Sequence, residues 1–115
     1  MPVTILHNPR CSKSRQALQL LKDKGIEPEV VEYLKMPLDA AELSRILDLL
    51  GFAPRELMRR KEHVYKDLDL DDPALSRADL IAAMTENPIL IERPIVLAGG
   101  KAALGRPPEN VLSIL

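Results

Sequence analysis

Three stretches within the first 33 residues leave this chain few ways to fold. Val3-Thr4-Ile5-Leu6 is an apolar run of strand length, followed by a loop and a helix-forming stretch from about Ser12 to Lys24. Ala17, Leu18 and Leu21 share one face of that helix, and Gly25 supplies its stop. Val30, Val31 and Tyr33 then read as a second strand. Strand, helix and strand in so short a span predict two parallel strands joined by a right-handed crossover. The expected class is therefore α/β. Open α/β sheets gather ligands at the carboxyl ends of their strands, and Cys11 lies at that end of the first strand.

The middle of the chain reads as helical. Asp39 with Glu42 three residues later makes a box-like start, and Leu43, Ile46, Leu47 and Leu50 follow at helical spacing before Gly51. Pro54 opens a short helix expected to carry Arg55, Arg59 and Arg60. After a polar stretch around Asp67 to Pro73, Ser76 and Asp79 form another cap, and Leu80, Ile81 and Met84 line a helix that Asn87-Pro88 closes. Ile95-Val96-Leu97, Gly99-Gly100 and Lys101 to Leu104 spell a hairpin. Pro107-Pro108 precedes a final helical pattern at Val111, Leu112 and Leu115. With no repeat or linker, the expectation is one domain over residues 1–115, carrying a helical insertion at about 38–87.

Cys11 is the sole cysteine, and a lone cysteine is more often a small buried hydrophobe than a catalyst. Its surroundings argue otherwise. Asn8 and Pro9 make a loop-to-helix corner, where unpaired backbone N–H groups and the positive end of the helix dipole favour a thiolate. Arg10, Lys13 and Arg15 add positive charge nearby, and the thiolate is the nucleophilic form. One cysteine makes no internal disulfide, so if Cys11 cycles through oxidation its partner thiol must come from another molecule. Together with two histidines it is too little for a structural zinc site, and no metal is expected. A net charge of -1 gives no global reason to bind nucleic acid or an anionic membrane. No apolar run has membrane-span length and no signal peptide is evident, which makes the cytoplasm the expected location.

Four separated motifs then occur in order: His7-Asn8-Pro9-x-Cys11-x-x-Ser14-Arg15; Leu57-Met58-Arg59; Pro88-Ile89-Leu90-Ile91-x-Arg93-Pro94-Ile95-Val96; and Gly105-Arg106-Pro107. Together they resemble the glutaredoxin-dependent arsenate reductase family, and the resemblance runs from Thr4 to Leu115. It implies a thioredoxin-like fold (βαβ, helical insertion, β-hairpin, C-terminal helix) and an oxidoreductase that reduces arsenate to arsenite. In that scheme Cys11 is the nucleophile, and Arg59, Arg93 and Arg106 bind the oxyanion. Arginine suits the task because its planar fork stays charged and donates two hydrogen bonds to one oxyanion. Arg93 stands out even without the family, since it interrupts an apolar run, whereas only the family singles Arg59 out from Arg55, Arg60 and Lys61.

Supporting roles follow for three more residues. Pro94 is expected to be the cis proline that faces the cysteine in thioredoxin-like folds. Ser14, one helical turn from Cys11, is placed to donate to sulfur. His7 either stabilises the thiolate as a cation or orients the loop as a neutral hydrogen-bonding group. The resemblance implies no bound cofactor; glutathione is a co-substrate and glutaredoxin the partner that completes turnover. Phosphatase-like arsenate reductases need an arginine six residues after the nucleophile, where this chain has Ala17. Redox-sensing regulators of the same superfamily carry Cys-x-x-Cys, where this chain has Ser14. A non-enzymatic interaction role, or thiol transfer to another oxyanion or a mixed disulfide, stays open beside the reductase reading.

Overall fold

A four-stranded sheet carries the first part of the fold in this computed structural model, which describes residues 2–115. Strand β1 (Val3–Leu6) pairs in parallel with β2 (Glu29–Val31) across helix α1 (Ser12–Asp23). On its other side β1 pairs antiparallel with β3 (Ile95–Ala98), which forms a hairpin with β4 (Lys101–Leu104). The order is β2-β1-β3-β4. Gly99 and Gly100, both at positive φ, make the hairpin turn, a conformation that favours glycine. The predicted second strand ends at Val31, so Tyr33 lies two residues beyond it.

Ile5 and Val96 of the sheet, Ala17 and Leu21 of α1, and Val111 near the C-terminus form a fully buried cluster. Val3, Leu18, Ile26, Leu112 and Ile114 pack around it. The C-terminal element is a 3₁₀ helix over Pro108–Ile114, not an α-helix. Pro107 and Pro108 start it, and its apolar residues follow closely enough for the tighter winding to bury Val111.

The chain divides into two compact units: residues through Met36 together with Arg93–Leu115, and Pro37–Glu92. The second unit holds the helices of the middle of the chain. Within it, α2 (Ala40–Leu50) starts at Asp39, whose carboxylate accepts the Glu42 N–H at 2.8 Å, and stops at left-handed Gly51. Helix α4 (Arg77–Glu86) starts with a reciprocal Ser76–Asp79 capping box. Leu43, Ile46, Leu47, Leu80, Ile81 and Met84 are buried. One expectation is corrected here. The helix opened by Pro54 is a 3₁₀ turn ending at Leu57, leaving Arg59 and Arg60 outside it. The segment before the polar stretch forms a short helix, α3 (His63–Asp67), anchored by buried Tyr65.

No helix among the described residues is long and apolar enough to cross a membrane.

Candidate active site

Strand register decides which side chains gather around the cysteine. Leu6 is opposite Ile95, and Ile95 is opposite Leu104. One end of the sheet therefore presents the loop leaving β1, the residues entering β3 and those leaving β4. Cys11 lies in the first segment, Arg93 and Pro94 in the second, Gly105 and Arg106 in the third.

The loop is stitched by its own polar groups. The Asn8 carbonyl accepts the Cys11 N–H at 3.0 Å, and Asn8 Oδ1 accepts the Arg10 N–H at 3.0 Å. Arg15 Nη1 donates to the Pro9 carbonyl at 2.9 Å. Beneath them Ser14 Oγ, wholly buried, accepts the Asn8 N–H at 3.0 Å and lies 2.6 Å from His7 Nδ1. That oxygen has a second acceptor site and one proton, so which of the pair donates follows the tautomer of His7. Burial pulls the His7 pKa down; Glu32 opposes this, and Arg15 and Lys22 reinforce it. Of the two forms considered for His7, burial favours the neutral imidazole, and its bond to Ser14 ties it to the loop. The Ser14 hydroxyl is engaged with His7 and Asn8, so it is the Ser14 backbone N–H that serves the sulfur.

Cys11 is the N-cap of α1, with extended backbone angles and partial exposure. Burial alone would push its thiol pKa up. The Ser14 N–H, the Arg93 guanidinium by hydrogen bond and by charge, and the Lys13 N–H outweigh burial, so the thiol lies below its ordinary value. Arg106 Nη2 reaches the sulfur at 3.8 Å, while its Nε donates to the Arg93 carbonyl at 2.9 Å. One arginine thus orients the other. The Arg93–Pro94 bond is cis, as is Arg106–Pro107. The Gly105 N–H donates to the Pro94 carbonyl at 2.8 Å, and a Cβ on Gly105 would come within 2.7 Å of Pro94 Cγ. Only glycine fits that approach without displacing the proline.

Arg93 is the most telling group. Its Nε and Nη1 are shielded from solvent and find no hydrogen-bond partner among the described residues. The same guanidinium makes hydrogen-bonding contacts with Cys11 and with Tyr33. Burial would lower the Arg93 pKa, but these contacts and the charge they meet raise it. Shielded, unsatisfied donors on a cation are costly, and an anion that reached either of them would offset part of that cost.

Arg59 belongs to the second unit. Its N–H donates to the Leu90 carbonyl at 2.6 Å, its Nε lies 3.3 Å from Glu62 and its Nη1 3.5 Å from Glu92. Arg60, its neighbour, is exposed. Two residues near the cysteine carry no catalytic signature in sequence. Asn8 reads only as a turn former, and Tyr33 only as a strand residue, although its place at the carboxyl end of β2 is the signal that finds it.

A thioredoxin-like sheet presenting one activated cysteine, with no second cysteine to resolve it, defines the chain as a single-cysteine member of that fold class. More narrowly, residues 6–114 match the ArsC family, and the chain belongs to it. It is 60% identical over 114 residues to an uncharacterized Escherichia coli (strain K12) protein, YfgD, covering 98% of this chain and 96% of that one. A Neisseria meningitidis protein named arsenate reductase is 54% identical, with 98% and 97% covered. The solved structure of a Vibrio cholerae arsenate reductase superposes with a TM-score of 0.98 at 52% identity, covering 100% of this chain and 98% of that one.

Proposed function

We propose that this protein is an arsenate reductase that uses Cys11 as its nucleophile. The observation that carries this reading is the pair of shielded, unpartnered donors on Arg93 beside an activated cysteine. The names of close relatives support arsenate as the oxyanion.

The Cys11 sulfur attacks arsenic(V), and one arsenate oxygen takes up protons and leaves as water. Arg93 and Arg106 offset the charge of the remaining oxygens, and Arg59 is the third arginine of this reading. A glutathione thiolate then attacks the arsenic of the adduct, a second arsenate oxygen leaving as water, and a glutaredoxin thiolate takes over the glutathionyl sulfur. That breaks the bond between arsenic and the glutathione sulfur with its two electrons left on arsenic, a glutathione–glutaredoxin mixed disulfide remains, and water hydrolyses the bond from Cys11 to arsenic(III), releasing arsenite and returning Cys11 as a thiol. An external resolving thiol accords with a chain that has one cysteine and suits the reducing cytoplasm.

The test is arsenate-dependent NADPH oxidation coupled through glutathione reductase, with glutathione and glutaredoxin present, comparing the native chain with Cys11→Ser. Turnover that needs every component and vanishes in the variant is expected. A folded native chain no faster than Cys11→Ser would remove the assignment and favour thiol transfer to another oxyanion or a mixed disulfide.

A further inference from the structure

Arg59 carries two carboxylates, and the backbone explains why. Met58 and Ile91 form an antiparallel bridge, bracketed by the Arg59 N–H on the Leu90 carbonyl at 2.6 Å and the Glu92 N–H on the Leu57 carbonyl at 2.8 Å. Arg59 and Glu92 are therefore diagonal neighbours on one side of that bridge, a separation of about 7–8 Å that long side chains span. The Glu62 N–H donates to the Arg59 carbonyl at 3.1 Å, a turn that folds Glu62 back toward the arginine. As a result Arg59 Nε donates to Glu62 Oε1 at 3.3 Å, and Nη1 lies 3.5 Å from Glu92 Oε2. The three side chains are 22–26% exposed, so solvent screens them only in part.

One guanidinium and two carboxylates sum to a net negative charge. Coulomb energy falls as 1/r, so two carboxylates about 8 Å from an incoming anion cancel the attraction of one guanidinium about 4 Å from it. We propose that Glu62 and Glu92 are specificity-determining residues that cancel the charge of Arg59 toward reversibly bound oxyanions and leave it a directed hydrogen-bond donor. An oxyanion that only docks, such as inorganic phosphate, then gains little at Arg59. One that also bonds to the Cys11 sulfur is held by that bond and needs only the donor. The arsenate part of the proposal rests on the reductase reading; the effect on phosphate does not.

Inorganic phosphate is the probe, titrated into the full chain at low ionic strength and followed by the Arg59 Nε–Hε NMR resonance. Glutamine keeps an acceptor oxygen for the arginine and removes only the charge. Glu62→Gln and Glu92→Gln, checked for folding by circular dichroism and thermal unfolding, should each bind phosphate about threefold more tightly, the scale of a partly exposed charge interaction, and together about tenfold. The gain should fade in about 1 M KCl, where charges are screened beyond about 3 Å. Glu86→Gln, the same charge change on an exposed residue at the end of α4, should leave the affinity unchanged. The arsenate KM should fall with the phosphate constant, with a smaller change in kcat, because docking is the step the carboxylates oppose. If Glu92→Gln does not fold, Glu62→Gln carries the comparison. Folded variants with the native phosphate affinity overturn the proposal, as does a gain that high salt leaves intact or that Glu86→Gln reproduces. The titration involves no arsenate, so a native chain inactive toward arsenate would sink the reductase reading while the phosphate affinities still judge the two glutamates.

Discussion

At the scale of single residues, two depressed pKa values make stability rise with pH, each in its own window. The Cys11 pKa is depressed: burial raises it, but the Ser14 N–H, Arg93 and the Lys13 N–H lower it by more. Its thiolate therefore forms in the folded chain at a pH where the unfolded chain still holds the proton. The associated stability is present above the unfolded thiol pKa and is lost as pH falls through the folded value. Relative to Cys11→Ser, the native chain should gain denaturant resistance as pH rises through this window, and Arg93→Gln should shrink the gain. Equal pH profiles for all three proteins would show that the helix terminus and Arg93 do not tune the thiol. His7 is also depressed, chiefly by burial, and because the folded chain again binds fewer protons than the unfolded one the sense is the same, in a more acidic window. Below about pH 6.5 the unfolded histidine takes up a proton that the folded one refuses. Stability should fall as pH drops from there toward the folded value, and urea midpoints measured across that range should fall less steeply for His7→Gln. A matching slope in the variant would assign the acid limb to other groups.

Elements show why some of this architecture can be read from sequence and some cannot. The boundaries of β1, α1, α2 and α4 follow from local signals: apolar periodicity, the Asp39 and Ser76 caps, and the glycines that end helices. Ser76→Ala should accordingly cost about 1 kcal/mol, the usual worth of such a cap, measured as a lower denaturant midpoint at unchanged m. The 3₁₀ windings at Pro54–Leu57 and Pro108–Ile114 are not legible, because apolar spacing alone does not separate the two kinds of helix over so few residues. Gly105 marks a different limit. Its need for glycine comes from the Pro94 ring, eleven residues earlier in sequence, and no local pattern reveals such an approach. Gly105→Ala should cost about 1–3 kcal/mol from overpacking, read from the denaturant midpoint. Because Pro94 follows Arg93, the same variant should raise the pH midpoint of Cys11 alkylation by iodoacetamide. A variant as stable as the native chain would mean that the proline ring yields freely.

For the molecule as a whole, the site draws on residues separated by most of the chain. Sheet register brings Arg93 and Arg106 to the cysteine loop, and the apolar run around Arg93 makes its unusual setting visible in the sequence itself. The partners of each group are not visible there, because Ser14–His7, Arg106–Arg93 and Tyr33–Arg93 all depend on chain folding that brings separated segments together. Arg59 is the instructive case, since sequence places it beside Arg60 with nothing local to choose between them. In its own unit the two differ: Arg59 is pinned by a backbone bond to Leu90 and flanked by Glu62 and Glu92, whereas Arg60 is exposed. A pinned, partly buried arginine can act as a fixed donor, and a solvated one adds little beyond screened charge. On the reductase reading, in which Arg59 is the third oxyanion donor, Arg59→Gln should lower kcat/KM for arsenate about a hundredfold. Arg60→Gln should stay within about twofold, as expected of a surface charge away from special features. Arg59→Lys should recover little, because an ammonium does not reproduce the planar fork. Equal, small effects at both positions would confine the oxyanion to Arg93 and Arg106 and leave Arg59 as a structural partner of its two glutamates.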